Sequence, residues 1–394
     1  MKDNKYSTMQ KSFYNNRAIE LNKDNKQSPQ ALSTPELGYN DGIVGSIFLL
    51  NEFFSECSFL FSTIEDTKSK IALDFGCGPG RNIVLYKDMF KIIDEIAKSD
   101  SILATNTSTL DIDEIAEATS RPASVIGTHF FSPANVMKLL ELVRGKNTSK
   151  EVIASMMKLA KIIKKVPVLA GNCDGFIGNR MFHEYVRQAH ALAEEGAKIA
   201  DIDRVIFDFG WAMGPFAVND LAGNDVGWRI RKRHKQEGKY DNLRYTSTVA
   251  DQLCELGRYG QKTNRGFYIY DPETRKKQVD PEVDMMFEKV AKEKGIVRRN
   301  IEDDEILSRL SWSLVNTGCL ILEEGYALRA SDIDVTYAHG YGYPHWRGGP
   351  MKYAESYGLE KVLEEIEQFR NKNGDMWEKN NYLQDLVREK RKFN

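Results

Sequence analysis

Short apolar runs alternate with amphipathic stretches through the first half of the chain. IALDF (71–75), SILAT (101–105), SVIGTHFF (124–131), KLLELV (138–143) and VPVLA (166–170) have the length and apolar content of buried strands. Between the first two, IVLYKDMFKIIDEIAK (83–98) puts Met89, Ile93, Ile96 and Ala97 at helical spacing, which predicts an amphipathic helix. Thr148-Ser149-Lys150-Glu151 has the form of a capping box ahead of a second helix, VIASMMKLAKIIKK (152–165). Strands alternating with helices predict an α/β fold with a largely parallel sheet.

After Asp174 the pattern becomes helical, and part of it repeats. Ala191 to Phe216 returns as Leu320 to Met351, with Glu-Glu-Gly, Asp-Ile-Asp and a Gly-Pro turn in the same order. Such a repeat predicts two copies of one helical unit packed together. Between the copies, Gly257 to Asp271 reads as a glycine-rich turn with an aromatic, strand-like end, and PETRKKQVDPEV reads as a polar linker. The tail from Leu359 is charged and helical, as a solvated face would be. Before the first strand, residues 15–42 are rich in Asn, Lys, Ser and Pro, and residues 43–62 could form an apolar helix. The expected organisation is an N-terminal segment at 1–65, a Rossmann-like layer at 66–170, and helical units at 171–275 and 285–394.

Composition narrows the function classes. At 394 residues, two or three domains are expected. A net charge of −2 argues against a nucleic-acid or anionic-membrane partner. The five cysteines (Cys57, Cys77, Cys173, Cys254, Cys319) form no CxxC pair, so a reducing compartment without a structural zinc site is expected. The run IVGSIFLLNEFF is interrupted by Asn51 and Glu52 and is too short to span a bilayer. Neither terminus carries an evident targeting address, and a cytoplasmic protein without a metal is the default.

Two places carry candidate chemistry. The first is Gly76-Cys77-Gly78-Pro79-Gly80, which follows the strand at Ile71 directly. A strand, clustered glycines and a helix bring a nucleotide close to the backbone. The dinucleotide fingerprint G-x-G-x-x-G is not met, because Arg81 stands at the sixth position. LDFGCGPG instead resembles motif I of class I S-adenosylmethionine-dependent methyltransferases; that resemblance implies cofactor contacts at Asp74, Gly76, Gly78 and Gly80. The further strands of that fold do not follow. Asp94 and Glu95 lie where a ribose-binding acid would be sought, but within the helix, and read as a solvated face.

The second place is Leu103 to Asn179, which contains a hydroxyl (Ser108), a histidine (His129), a carboxylate (Glu141) and an amide (Asn179). A proton-transfer site needs about that set of groups, and histidine is the natural base near neutral pH. Taken singly, each residue also reads as a turn, cap or strand-face group. His183 and His190 read as structural, and His339 and His345 as packing within the glycine turn of the second copy.

Residues from about 86 onward resemble the 3-hydroxyacyl-CoA dehydrogenase family, in particular the dehydrogenase part of bifunctional enoyl-CoA hydratase/3-hydroxyacyl-CoA dehydrogenases. The matching stretches are NTSTL, GTHFFSPANVMKLLELVRG, GNCDGFIGNRM, GWAMGPF, GRYGQKTNRGFY and YGYPHWRGGPM, in family order. The resemblance implies NAD-dependent oxidation of a (S)-3-hydroxyacyl-CoA in fatty-acid β-oxidation. It assigns His129 as the base, Glu141 as the carboxylate that orients and charges it, and Ser108 and Asn179 as holders of the substrate oxygen. It adds Asn106 of the NTS motif to the cofactor contacts, an acyl-CoA as partner, and a homodimer. The glycine loop and strand-end acid of the family's cofactor half are not matched upstream. The chain therefore reads as a truncated or chimeric Rossmann-like sheet, joined near Ile83 to Lys87, followed by two repeated helical units. Methyltransferase chemistry on the Gly76–Gly80 loop and an inactive acyl-CoA-binding remnant are the alternatives.

Overall fold

The computed structural model describes residues 71–74, 83–236 and 247–393. The glycine loop Gly76–Gly80, the apolar stretch 43–62 and the rest of the segment before Ile71 lie outside the described residues. The chain divides into two compact units, Met1–His129 with Asn147–Val152, and Phe130–Lys146 with Ile153–Asn394.

The first unit contains β1 (Ile71–Asp74), α1 (Ile83–Ile96), β2 (Ile102–Thr105), α2 (Ile112–Glu117) and the start of β3 (Val125–Phe130). Its strands are parallel: Ile71 pairs with Ile102 and Asp74 with Thr105, and Thr105 in turn with Gly127. Leu103, Ala104, Val125 and Ile126 are fully buried, as strands covered on both faces require. Helix α1 forms where expected, but among its described side chains the deeply buried ones are Tyr86 and Phe90, and Ile96 is 70 % exposed. Asp94 is no solvated residue either. It accepts from Ser120 N at 2.6 Å and Arg121 Nε at 2.5 Å, and the same guanidinium bonds the Lys98 carbonyl at the helix's end. Burial raises the Asp94 pKa, but these donors outweigh it and hold the carboxyl below its ordinary value.

The expected capping box takes a different form. Thr148 Oγ1 donates to the Val125 carbonyl at 2.7 Å, tying the segment to β3. Ser149 is the residue that caps the next helix, α3 (Lys150–Ile162), by accepting from Val152 N at 3.2 Å.

The second unit has β4 (Leu139–Arg144) parallel to β5 (Val166–Gly171). On its other side β5 meets the segment after the second copy's long helix: Gly171 N donates to the Tyr326 carbonyl at 2.7 Å, and Ala170 bridges to Ala327. The first helical copy is α4 (Gly178–Glu195), α5 (Ile199–Phe209) and α6 (Pro215–Ala222). Helices α7 (Asn224–Gln236) and α8 (Val249–Glu255) follow, then the antiparallel pair β6 (Tyr268–Tyr270) and β7 (Lys277–Val279). The expected linker thus contains a strand, and its Asp280 caps α9 (Pro281–Glu293). The second copy is α10 (Asp303–Glu323), α11 (Ala330–Gly340) and α12 (Pro350–Tyr357), with α13 (Leu359–Asn373) and α14 (Tyr382–Arg388) after it.

The repeat is structural as well as textual. The long helices α4 and α10 pack on each other, where fully buried Arg309 reaches Gln188 Oε1 at 3.0 Å and Glu195 Oε2 at 2.8 Å. In each copy the second Asp of Asp-Ile-Asp holds the start of the third helix. Asp203 accepts from Phe216 N and Ala217 N, both at 3.0 Å. Asp334 accepts from Met351 N at 2.8 Å and Lys352 N at 3.3 Å. Gly349 lets Asp334 this close, since its φ is +126° and a Cβ there would lie 2.6 Å from the Asp334 Cα.

Burial, reinforced by Glu355 and opposed by the two backbone donors and Lys352, pushes the Asp334 pKa up to about 7, above the ordinary 3.8. Between roughly pH 4 and 7 the folded chain therefore holds a proton that the unfolded chain has lost, so stability from this group falls as pH rises through that window. Denaturant titrations at pH 5 and pH 8 should show a larger loss in the wild type than in Asp334→Asn; equal losses would remove Asp334 as the cause.

Candidate active site

Parallel pairing fixes where the sequence candidates of the first unit fall. The carboxyl ends of β1, β2 and β3 share one edge, the edge at which parallel sheets take ligands. Asp74 ends β1, Asn106 and Ser108 lie in the loop that leaves β2, and His129 is near the end of β3. His129 is buried, and Asn106 and Ser108 are half-buried. The loop is held by Thr107, whose Oγ1 accepts from Leu110 N at 3.0 Å and Thr109 N at 3.3 Å. Next to His129, the Thr128 hydroxyl donates to the Thr105 carbonyl at 3.4 Å. The rigid loop follows from the NTSTL sequence, in which a hydroxyl can replace a backbone acceptor.

The second unit brings Glu141 and Asn179 to one peptide. Glu141, fully buried in β4, accepts from Gly178 N at 2.9 Å through Oε1. Gly178 and Asn179 open α4. The Tyr337 hydroxyl donates to the Gly178 carbonyl at 3.2 Å, and the Tyr341 hydroxyl donates to Asn179 Oδ1 at 2.7 Å. Both tyrosines come from the second helical copy, where they stack at 4.8 Å. Phe131 meets the Tyr341 ring edge-on at 5.4 Å, and Phe182 lies 5.5 Å from it. Gly178 permits this approach, because a Cβ there would stand 2.5 Å from the Tyr341 ring. Burial raises both phenols well above their ordinary pKa, reinforced by Tyr185 and then Glu141 at Tyr337 and by Glu141 at Tyr341, so they remain proton donors.

The neighbouring Cys173 is held mainly as the neutral thiol. Burial pushes its thiol up to about 11, against the pull of Arg180, which is itself paired bidentately with Glu324 at 2.5 and 2.9 Å. Tyr337 and Tyr341 are not among the candidate site residues of the sequence, although Tyr341 opens the YGYPHWRGGPM stretch; the signal available was the aromatic pair four residues apart.

A dinucleotide fits the described residues at one end. Asn106 places a polar group at the carboxyl edge, where the nicotinamide end of a dinucleotide would lie. The strand after the first helix ends at Thr105, so no carboxylate stands there for the adenosine ribose. Among the described residues no group of His, Cys, Asp and Glu is arranged to hold a metal ion, and no helix is long and apolar enough to cross a membrane.

Known proteins resemble this chain along the same stretch. The family model for the 3-hydroxyacyl-CoA dehydrogenase NAD binding domain matches residues 81–173, and that for the C-terminal domain of 3-hydroxyacyl-CoA dehydrogenase matches 175–270. The first match begins just after the Gly76–Gly80 loop. The peroxisomal bifunctional enzyme of Cavia porcellus is 48 % identical over 316 residues, covering 77 % of this chain and 43 % of that protein. The Homo sapiens enzyme of that name is 46 % identical, with 77 % and 44 % covered. The chain thus spans less than half the length of these relatives. The dehydrogenase part of multifunctional enzyme 1 from C. elegans is 33 % identical, covering 80 % of this chain and 71 % of that one, with a TM-score of 0.58. The 3-hydroxybutyryl-CoA dehydrogenase of Escherichia coli shares the fold at 22 % identity, with 82 % of each chain covered and a TM-score of 0.67.

Proposed function

The chain belongs to the 3-hydroxyacyl-CoA dehydrogenase family, and on that premise we propose that it oxidises a (S)-3-hydroxyacyl-CoA to the 3-oxoacyl-CoA in fatty-acid β-oxidation. The observation that carries the reading is that the family match runs unbroken through Ser108, His129 and Glu141 and continues through Asn179. Bound NAD would accept the hydride leaving C3. Asn106 would hold its nicotinamide end, and Asp74, Gly76, Gly78 and Gly80 are the sequence candidates for the remainder.

The chain's own residues then have separate tasks. His129 takes the hydroxyl proton, and Glu141 favours the protonated imidazole. Ser108 and Asn179 donate to the substrate oxygen and fix C3 for transfer. Glu141 is fully buried, and a charge removed from water acts more strongly on its surroundings. A homodimer is the other partner implied by the resemblance. For the compartment, the relatives' peroxisomal names compete with the cytoplasmic default of the composition.

The test is a paired titration. Purified protein should bind NAD and form NADH at 340 nm only when a 3-hydroxyacyl-CoA is present. Calorimetric binding of S-adenosylmethionine with no NADH formation at millimolar NAD would replace the reading by the methyltransferase alternative.

A further inference from the structure

The second helical copy reaches the peptide that carries Asn179, and its contacts are chemically selective. Gly178–Asn179 is fixed at three points: its N–H by Glu141, its carbonyl by Tyr337 and its side-chain oxygen by Tyr341. An asparagine amide has one accepting and one donating end. With Oδ1 taken by a phenol hydroxyl at 2.7 Å, the end left to meet a ligand is the Nδ2 donor. The phenol is itself located by rings on three sides, Tyr337, Phe131 and Phe182, so it has little freedom to turn with the amide. The hydroxyl lies 162 positions along the chain from the amide that it meets.

We propose that Tyr341 is a positioning residue for the dehydrogenase site. Its hydroxyl turns the Asn179 amide so that Nδ2 is presented to the substrate oxygen, and the second helical copy thereby completes a site built on the first. This rests on the function proposed above, in that Asn179 is taken to touch substrate. Tyr341 does not touch substrate itself; it acts through the amide. Replacing it by Phe keeps the ring contacts and removes only the hydroxyl, leaving the amide free to rotate and to offer an acceptor where a donor is needed.

The experiment is a double-mutant cycle on the full chain. Wild type, Tyr341→Phe, Asn179→Ala and the double variant are titrated with acetoacetyl-CoA by calorimetry, and thermal unfolding is recorded for each. Tyr341→Phe should weaken binding about 5- to 10-fold when Asn179 is present, the effect of one hydrogen bond. It should change binding by less than about twofold when Asn179 is already Ala. Equal weakening in both backgrounds, or none in either, overturns the proposal, because a packing role does not depend on the amide. Oxidation of NADH with acetoacetyl-CoA separates the two readings. A wild type that binds the probe without turning it over defeats the dehydrogenase function and leaves the cycle to decide Tyr341; a wild type that does not bind it defeats both.

Discussion

His129→Ala is expected to lower NADH formation from a (S)-3-hydroxyacyl-CoA by about 100- to 10,000-fold, the usual worth of a positioned base. The residue lies at the carboxyl edge of a parallel strand and is 4 % exposed, so the imidazole is held by its surroundings rather than by solvent. Without it, the hydroxyl proton would have to leave to water while the C3 hydride departs. The loss should fall mainly on kcat, with acyl-CoA binding measured by calorimetry within a few-fold of wild type. Because truncating a buried ring also removes packing, His129→Gln serves as a second variant of similar reach and different basicity. A turnover number within twofold of wild type in both variants, with folding intact, would dismiss His129 as the base.

Asp220→Ala is expected to have the largest effect on stability. Asp220 is fully buried and accepts from Asn224 Nδ2 at 2.8 Å, Phe267 N at 2.9 Å, Tyr268 N at 3.0 Å and the Tyr270 hydroxyl at 3.0 Å. It therefore holds helix α6 to the strand pair that begins at β6. Removing the carboxyl leaves four donors facing one another without an acceptor, each costing about 1–3 kcal/mol when it stays dry. The sum, about 4 kcal/mol or more, is a large share of the 5–15 kcal/mol that keeps an ordinary domain folded. Urea titration should show an early unfolding midpoint, or the protein should be recovered unfolded. Asp220→Asn keeps one accepting oxygen and should lose less. A midpoint for Asp220→Ala equal to that of wild type would mean that these donors find water, contrary to the burial described.

The parts of this molecule that could be read from its sequence are those settled over a few residues. The strands at Ile71, Ile102, Val125, Leu139 and Val166 announced themselves as short apolar runs. The duplicated Asp-Ile-Asp was visible, but not its work: that Asp203 and Asp334 each hold a helix start appears only when a chain folds back over a dozen or more residues. Where two neighbours could perform one task, local pattern chose wrongly. Thr148 and Ser149 both suit a helix cap, and the pull of the Val125 carbonyl on Thr148 decided between them. Asp94 looked solvated because its partner Arg121 lies 27 residues away. For the same reason Asn179 stands out through its GNR motif, whereas the Tyr341 hydroxyl bonded to it comes from 162 positions away and gives no local signal. The glycine loop, the most conspicuous local motif, lies before the family match and outside the described residues.

The join between β5 and the segment around Tyr326 also bears on solubility. An apolar strand with one free side offers a row of unpaired amides and carbonyls to any similar strand, which is how sheets of separate molecules fuse. Here Gly171 N is occupied by the Tyr326 carbonyl, Ala170 bridges to Ala327, and Pro167 has no N–H to offer. A protein cut before the second copy would lose the first two of these guards and expose VPVLAG as a template for aggregation, whatever became of its chemistry.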